Sequence, residues 1–123
     1  MIAGPVDLVT FRTLLETIAA ERPDFVYRKP DVSQECLYRP SQRRPGQKKV
    51  RCIIGEALHR LGMTDAELFE LDASDESNAY DVLSGLGFDD DVCHYAQMVQ
   101  TAQDTGKSWG AAILAGVHEE NDT

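Results

Sequence analysis

Cys52 and His59 stand seven residues apart in RCIIGEALHRLGMT, residues 51–64. A thiol and an imidazole are the pair that nucleophilic catalysis uses: the first turn of a helix can stabilise a thiolate, and a nearby histidine can take the proton. On a helical projection, Cys52, Glu56 and His59 fall together, opposite Ile54, Ala57, Leu58 and Leu61. Seven helical residues, however, span about 10.5 Å along the axis, too far for a direct hydrogen bond without long side-chain reach. Free cysteine is also among the most frequently buried residue types. The stretch therefore reads first as a helix packing into a core. No catalytic residue is assigned, and Cys52 and His59 stand as the weak candidates.

A metal centre would draw on Cys36, Cys52, Cys93, His59, His94 and His118. Structural zinc sites place paired ligands two to four residues apart. Here only Cys93 and His94 are close, and adjacent helical side chains diverge by about 100°. No metal ligands and no cofactor are expected. LHRLGMTDAELFEL has the order helix, glycine turn, capped helix of a DNA-reading motif, but DAELFEL offers Asp65, Glu67 and Glu70 and no Arg, Lys, Asn or Gln to phosphates or base edges. Duplex DNA is not an expected partner. Trp109, in GKSWGAA, reads as a core-filling ring beside small residues. Neither a glycine-rich phosphate loop nor a serine nucleophile motif is present.

Charge marks the remaining candidate. Residues 28–51 hold eight of the twelve basic side chains against Asp31 and Glu35, a net +6, so the rest of the chain carries −15 to give the total of −9. Residues 56–123 contain fifteen acids against Arg60 and Lys107. Within the segment, PSQRRPGQKKV (40–50) combines two prolines, a glycine and four cations with almost nothing to bury, which describes a mobile basic loop. Arg43, Arg44, Lys48, Lys49 and Arg51, with Tyr38 beside them, form the candidate partner- or anion-binding set; an acidic protein, RNA or phosphate is the matching chemistry. The acidic remainder could serve as a negative surface of the kind that imitates DNA.

The elements that must position these residues follow from periodicity. Leu8, Phe11, Leu15, Ile18 and Ala19 predict a helix over 7–22, capped by Asp7 and stopped at Pro23. DFVYRKP and ECLYRP, separated by PDVSQ, predict a small antiparallel β-hairpin lying on helices. The 51–64 stretch predicts a helix ending at Gly62, followed by a short helix opened by a Thr64/Glu67 capping box. NAYDVLSGL predicts another helix, closed by Gly87. Asp89, Asp90 and Asp91 precede a helix whose inward stripe is Val92, Tyr95, Ala96, Val99 and Ala102. After Gly106 a last helix places Trp109, Ala112, Ile113 and Gly116 on one face, antiparallel to its predecessor because the connection is short. The expected fold is α+β: one mainly helical domain over 1–123, with five or six helices, one hairpin, the 40–50 loop and a disordered tail at 119–123.

At 123 residues the chain suits one core. Its 42% hydrophobic content is ordinary for a folded soluble protein, and no run approaches the apolar length of a membrane span. The start, MIAGPVDLVTFRTLL, lacks the features of a secretory signal, and three cysteines without a framework suit a reducing compartment. A cytoplasmic location is expected.

The succession FVYRKP, ECLYR, CIIGEALHRLG, NAYDVL and AQMVQTAQDTGKSWGAAI resembles a family of small uncharacterised proteins from actinobacteria and their phages, over roughly residues 8–115. The chain departs from that pattern between Tyr38 and Cys52, where PSQRRPGQKKVR replaces a shorter link. The resemblance implies a bacterial or phage setting and transfers no site residue. Taken together, these features suggest a small acidic accessory or regulatory protein that binds another protein, of the kind a phage-encoded modulator of a host or defence component would be. The alternative is a small enzyme or ligand-binding protein for an anionic substrate, using Cys52, His59 and the basic loop.

Overall fold

In the computed structural model the described residues are 6–27, 38, 51–73 and 78–121, with residues 73 and 117–121 described as backbone only. Six helices occupy them: α1 (Leu8–Glu21), α2 (Ile53–Arg60), α3 (Asp65–Ala73), α4 (Ala79–Gly85), α5 (Asp90–Asp104) and α6 (Trp109–Asn121). Local chemistry explains most of the boundaries. Asp7 Oδ1 accepts from Thr10 N at 2.8 Å, and Asn78 Oδ1 accepts from Asp81 N at 2.8 Å, so each cap satisfies an amide that the helix itself leaves unpaired. Thr64 and Glu67 form a reciprocal box: Glu67 Oε1 accepts from Thr64 N at 3.0 Å, and Thr64 Oγ1 accepts from Glu67 N at 3.2 Å. Gly62, Gly87 and Gly106 take φ of 115°, 94° and 100° just beyond α2, α4 and α5, a conformation in which a side chain would be strained.

One core joins the helices. Phe11, Leu15 and Ile18 of α1 meet Ile54 and Leu58 of α2 and Val92, Tyr95 and Val99 of α5, all fully or almost fully buried. The α5 and α6 helices form the most extensive pairing and run antiparallel. Trp109, opening α6, reaches Gln103 near the end of α5, while Gly116 lies against Tyr95 and Val99 further back along it. A Cβ at Gly116 would come within 2.8 Å of the Tyr95 ring, so the glycine permits this close approach.

A row of glutamines makes α5 the organising helix. Gln97 Oε1 accepts from Tyr80 N at 3.0 Å, and Gln100 Oε1 accepts from Ala79 N at 2.7 Å, so two α5 side chains serve the start of α4. Gln103 Oε1 accepts from Ile53 N and from Trp109 Nε1, both at 2.9 Å, serving the start of α2 and the indole together. Gln100 and Gln103 are buried; each puts an acceptor where the orphan amides of a helix start would otherwise lack a partner in the core.

The α+β expectation is corrected. No strand occurs among the described residues, and the fold they form is all-helical. Asp24–Tyr27, the described part of the strand expected over 24–30, turn instead toward α6: Pro23 O accepts from Gly110 N at 3.0 Å and Phe25 O from Trp109 N at 2.9 Å. The carbonyls that a ladder would have used thus satisfy the first amides of a helix. Phe25 packs edge-on against Trp109, ring centroids 4.8 Å apart, and Tyr27 is buried. The aromatic content that suggested strands reflects fit to an apolar surface, which a helical core provides equally well. Residues 28–30 of the expected first strand, the expected PDVSQ turn at 30–34, and the expected second strand apart from Tyr38 lie outside the described residues.

Candidate partner-binding site

Arg43, Arg44, Lys48 and Lys49 lie outside the described residues, whereas Tyr38 and Arg51, which flank them, are placed. Tyr38 is completely buried. Its amide donates to Asp72 Oδ1 of α3 at 2.9 Å, and its hydroxyl accepts from Gln100 Nε2 of α5 at 2.9 Å. Its backbone rests on α2 at Gly55, where a Cβ would lie 2.6 Å from Tyr38 Cα and closer still to its carbonyl oxygen. Three helices therefore hold the point at which the chain enters the basic stretch.

The other end is held by charge. Arg51 Nη1 donates to Glu56 Oε1 at 3.1 Å and Nη2 to Asp65 Oδ1 at 2.7 Å. Arg60 continues the ladder: its Nε donates to Glu56 Oε2 at 3.0 Å, and Nη1 and Nη2 reach the two carboxylate oxygens of Glu21 at 2.8 and 2.6 Å. Asp65, Arg51, Glu56, Arg60 and Glu21 thus alternate in sign across α3, α2 and α1. Arg51, grouped by sequence with the binding cations, is occupied as a brace.

The ladder has a defined acid response. The Arg60 hydrogen bond holds the Glu21 carboxyl below its usual 4.5, and the Arg51 hydrogen bond holds Asp65 below its usual 3.8. Carboxyls depressed in the folded state contribute stability above their unfolded values and lose it as pH falls through the folded ones. Urea midpoints of wild type and Arg60→Gln should therefore differ near neutrality and converge at about pH 2. Midpoints separated equally at both ends would mean that Arg60 acts by packing alone.

Cys52 and His59 are not brought together for proton transfer. Cys52 is the N-cap of α2 with extended backbone, φ −65° and ψ 165°, so it leaves the helical projection that had grouped it with His59. Its Sγ is buried and accepts from Gly55 N at 3.4 Å. His59 Nδ1 lies 3.0 Å from Met63 O and 3.8 Å from Asp65 Oδ1. Cys93 is also buried, and burial, followed by the nearby Asp90 and Asp91 charges, pushes its thiol up. Native alkylation followed by peptide mapping should modify Cys52 and Cys93 roughly 100-fold more slowly than a free thiol, since each must wait for local opening. A Cys52 that reacts at the free-thiol rate would restore the nucleophile reading.

Among the described residues, no three of His, Cys, Asp and Glu come together as metal ligands; Cys36 and the His118 side chain lie outside them. A surface cluster that sequence reasoning missed joins α4 to α5: Tyr80 donates its hydroxyl to Asp90, His94 Nε2 stands 3.4 Å from the same carboxylate, and the Tyr80 and His94 rings meet edge-on at 5.0 Å. The hydrogen bond to Asp90 pushes the Tyr80 phenol up. Its one sequence signal is the i,i+4 spacing of Asp90 and His94. No helix of the described residues is long and apolar enough to cross a membrane. No protein-family model matches the chain, and neither a curated protein nor a solved structure matches it.

Proposed function

We propose that the chain is a small accessory or regulatory protein that acts by binding another protein, with the basic stretch as its contact segment and the acidic helices as a complementary surface. The observation that carries this reading is the separation of charge. Residues 39–50 contain five cations and no acid, while exposed Glu16, Glu70, Asp81, Asp89, Asp90 and Asp91 give the helical body the opposite sign. Both ends of the stretch are fixed to the body, at Tyr38 by hydrogen bonds and close packing and at Arg51 by two carboxylates. A segment delivered from fixed ends loses less freedom on binding than a free tail of the same length. The structural tasks of Cys52 and His59 favour recognition over a thiol-based reaction.

On this reading the partner presents an acidic groove or patch to the cations, in a bacterial cytoplasm and in the manner of a phage-encoded modulator of a host or defence component. The test is affinity capture from a bacterial lysate with wild type and with Arg43, Arg44, Lys48 and Lys49 all changed to Ser. Wild type should retain a stoichiometric protein that higher salt elutes, and the variant should bind it at least ten-fold more weakly. Equal retention by both would remove the stretch from the interface.

A further inference from the structure

Arg51 belongs to two groups at once. It closes the run of cations that begins at Arg39, and its guanidinium is nevertheless turned back onto the acidic body. Nη1 donates to Glu56 Oε1 at 3.1 Å and Nη2 to Asp65 Oδ1 at 2.7 Å. The hold is incomplete. Arg51 Nε is buried and donates to no group among the described residues, so one donor of the guanidinium goes unsatisfied in this position.

Neither carboxylate depends on Arg51 alone. Glu56 Oε2 accepts from Arg60 Nε at 3.0 Å. Asp65 stands in the first turn of α3, where the helix dipole favours a negative charge, and His59 Nδ1 lies 3.8 Å from its Oδ1. Arg60 is placed differently: it holds both oxygens of Glu21, which has no second cation among the described residues. Withdrawing Arg60 would strand a carboxylate, whereas withdrawing Arg51 strands neither of its two. The Asp65 side chain is 58% exposed, so an incoming carboxylate can approach the outer side of the pair without unpacking the core. Cys52, which caps α2 at the next residue, holds the backbone in place while the Arg51 side chain swings.

We propose that Arg51 is an exchangeable contact: Glu56 and Asp65 withhold it in the free protein, and a carboxylate of an acidic protein partner takes it over on binding. The inference rests on the reading of the basic stretch as the contact segment and adds its regulation. The body's own carboxylates compete with the partner and lower its affinity. Ion pairs open to solvent on one side are weak enough for such an exchange.

Fluorescence anisotropy with a labelled octaglutamate peptide, at about 0.15 M salt, tests it. Wild type should bind the peptide, and the variant with Arg43, Arg44, Lys48 and Lys49 all changed to Ser should bind it at least ten-fold more weakly. Asp65→Asn should bind about three-fold more tightly than wild type, because the amide no longer draws Arg51 inward. Glu56→Gln, the other side of the same contact, should act in the same direction, and Arg51→Gln should weaken binding. In the Arg51→Gln background, Asp65→Asn should lose most of its gain, which separates release of Arg51 from the general effect of removing one negative charge. The two readings fail differently. Absence of binding by wild type, or equal binding by the four-serine variant, removes the contact segment and the exchange with it. Binding that the four serines weaken, but that Asp65→Asn and Glu56→Gln leave unchanged or tighten equally with and without Arg51, overturns the exchange and leaves the contact segment standing.

Discussion

Gly55→Ala should destabilise the fold by about 3 kcal/mol, a large share of the total stability of a domain this size. The added methyl would lie 2.6 Å from Tyr38 Cα and nearer still to Tyr38 O, and these are backbone atoms that cannot rotate away. The fold has two ways to accommodate it. Keeping Tyr38 in place forces α2 off its seat on α1 and α5, an overpacking cost at the upper end of the usual range. Releasing Tyr38 exposes a fully buried ring, takes from Gln100 Nε2 the hydroxyl it donates to, and frees Asp72 from the Tyr38 amide. A thermodynamic cycle distinguishes them. Tyr38→Phe alone removes one hydrogen bond and should cost about 1 kcal/mol. If Gly55→Ala expels the residue, the double variant costs no more than Gly55→Ala by itself; if α2 moves instead, the two costs add. Urea midpoints supply all four values, and a Gly55→Ala protein within about 0.5 kcal/mol of wild type would mean that Tyr38 is not seated on Gly55.

These contacts show what the sequence could and could not convey. Helix placement was largely legible because its causes are local: Asp7, Asn78 and the Thr64/Glu67 pair cap where their types and spacing indicate, and Gly62, Gly87 and Gly106 follow α2, α4 and α5 with positive φ. The inward stripe of α5 was legible from its period, and all five of its residues are buried. Two readings failed because their causes are distant. Phe25 and Tyr27 have the residue types of a strand, but the carbonyls of Pro23 and Phe25 serve the first amides of α6, more than eighty residues on. Cys52 shared a projected face with His59 only while both were treated as helical, and an N-cap residue does not obey the 100° rule. Of the candidate site, the charge imbalance was visible in composition. The bracing of Arg51 by Glu56 and Asp65 was not, because the Asp65 contact spans fourteen residues and depends on how α3 folds back on α2. The buried glutamines carried a partial signal. Gln103 follows Val92, Ala96 and Val99 at helical spacing, so a polar residue stands in line with an apolar stripe. Such a position implies a buried partner without naming it.

That partner makes Gln103→Leu the second large effect. Leucine fills much of the same volume, so the cavity term is small, and the loss is that of the acceptor. Gln103 Oε1 takes two buried donors, the amide of Ile53 that opens α2 and the indole Nε1 of Trp109 that opens α6. Each donor left without an acceptor inside the core costs about 1 to 3 kcal/mol, so the substitution should cost about 2 to 5 kcal/mol in total. Gln103→Glu separates this loss from a simple change of shape. A carboxylate can accept from both donors, but it loses the contact between Gln103 Nε2 and Asp104 Oδ1 and places two carboxylates side by side. Repulsion and burial raise the carboxyl pKa above its unfolded value, so Gln103→Glu should recover stability relative to wild type as pH falls from 7 toward 5, where Gln103→Leu should not. The chain has one tryptophan, which makes the readout specific: in Gln103→Leu the Trp109 emission should shift while the protein is still folded, because the indole has lost its hydrogen bond. If Gln103→Leu matches wild type in both emission and urea midpoint, water or a neighbouring group has replaced the glutamine, and α5 does not organise the starts of α2 and α6 through this side chain.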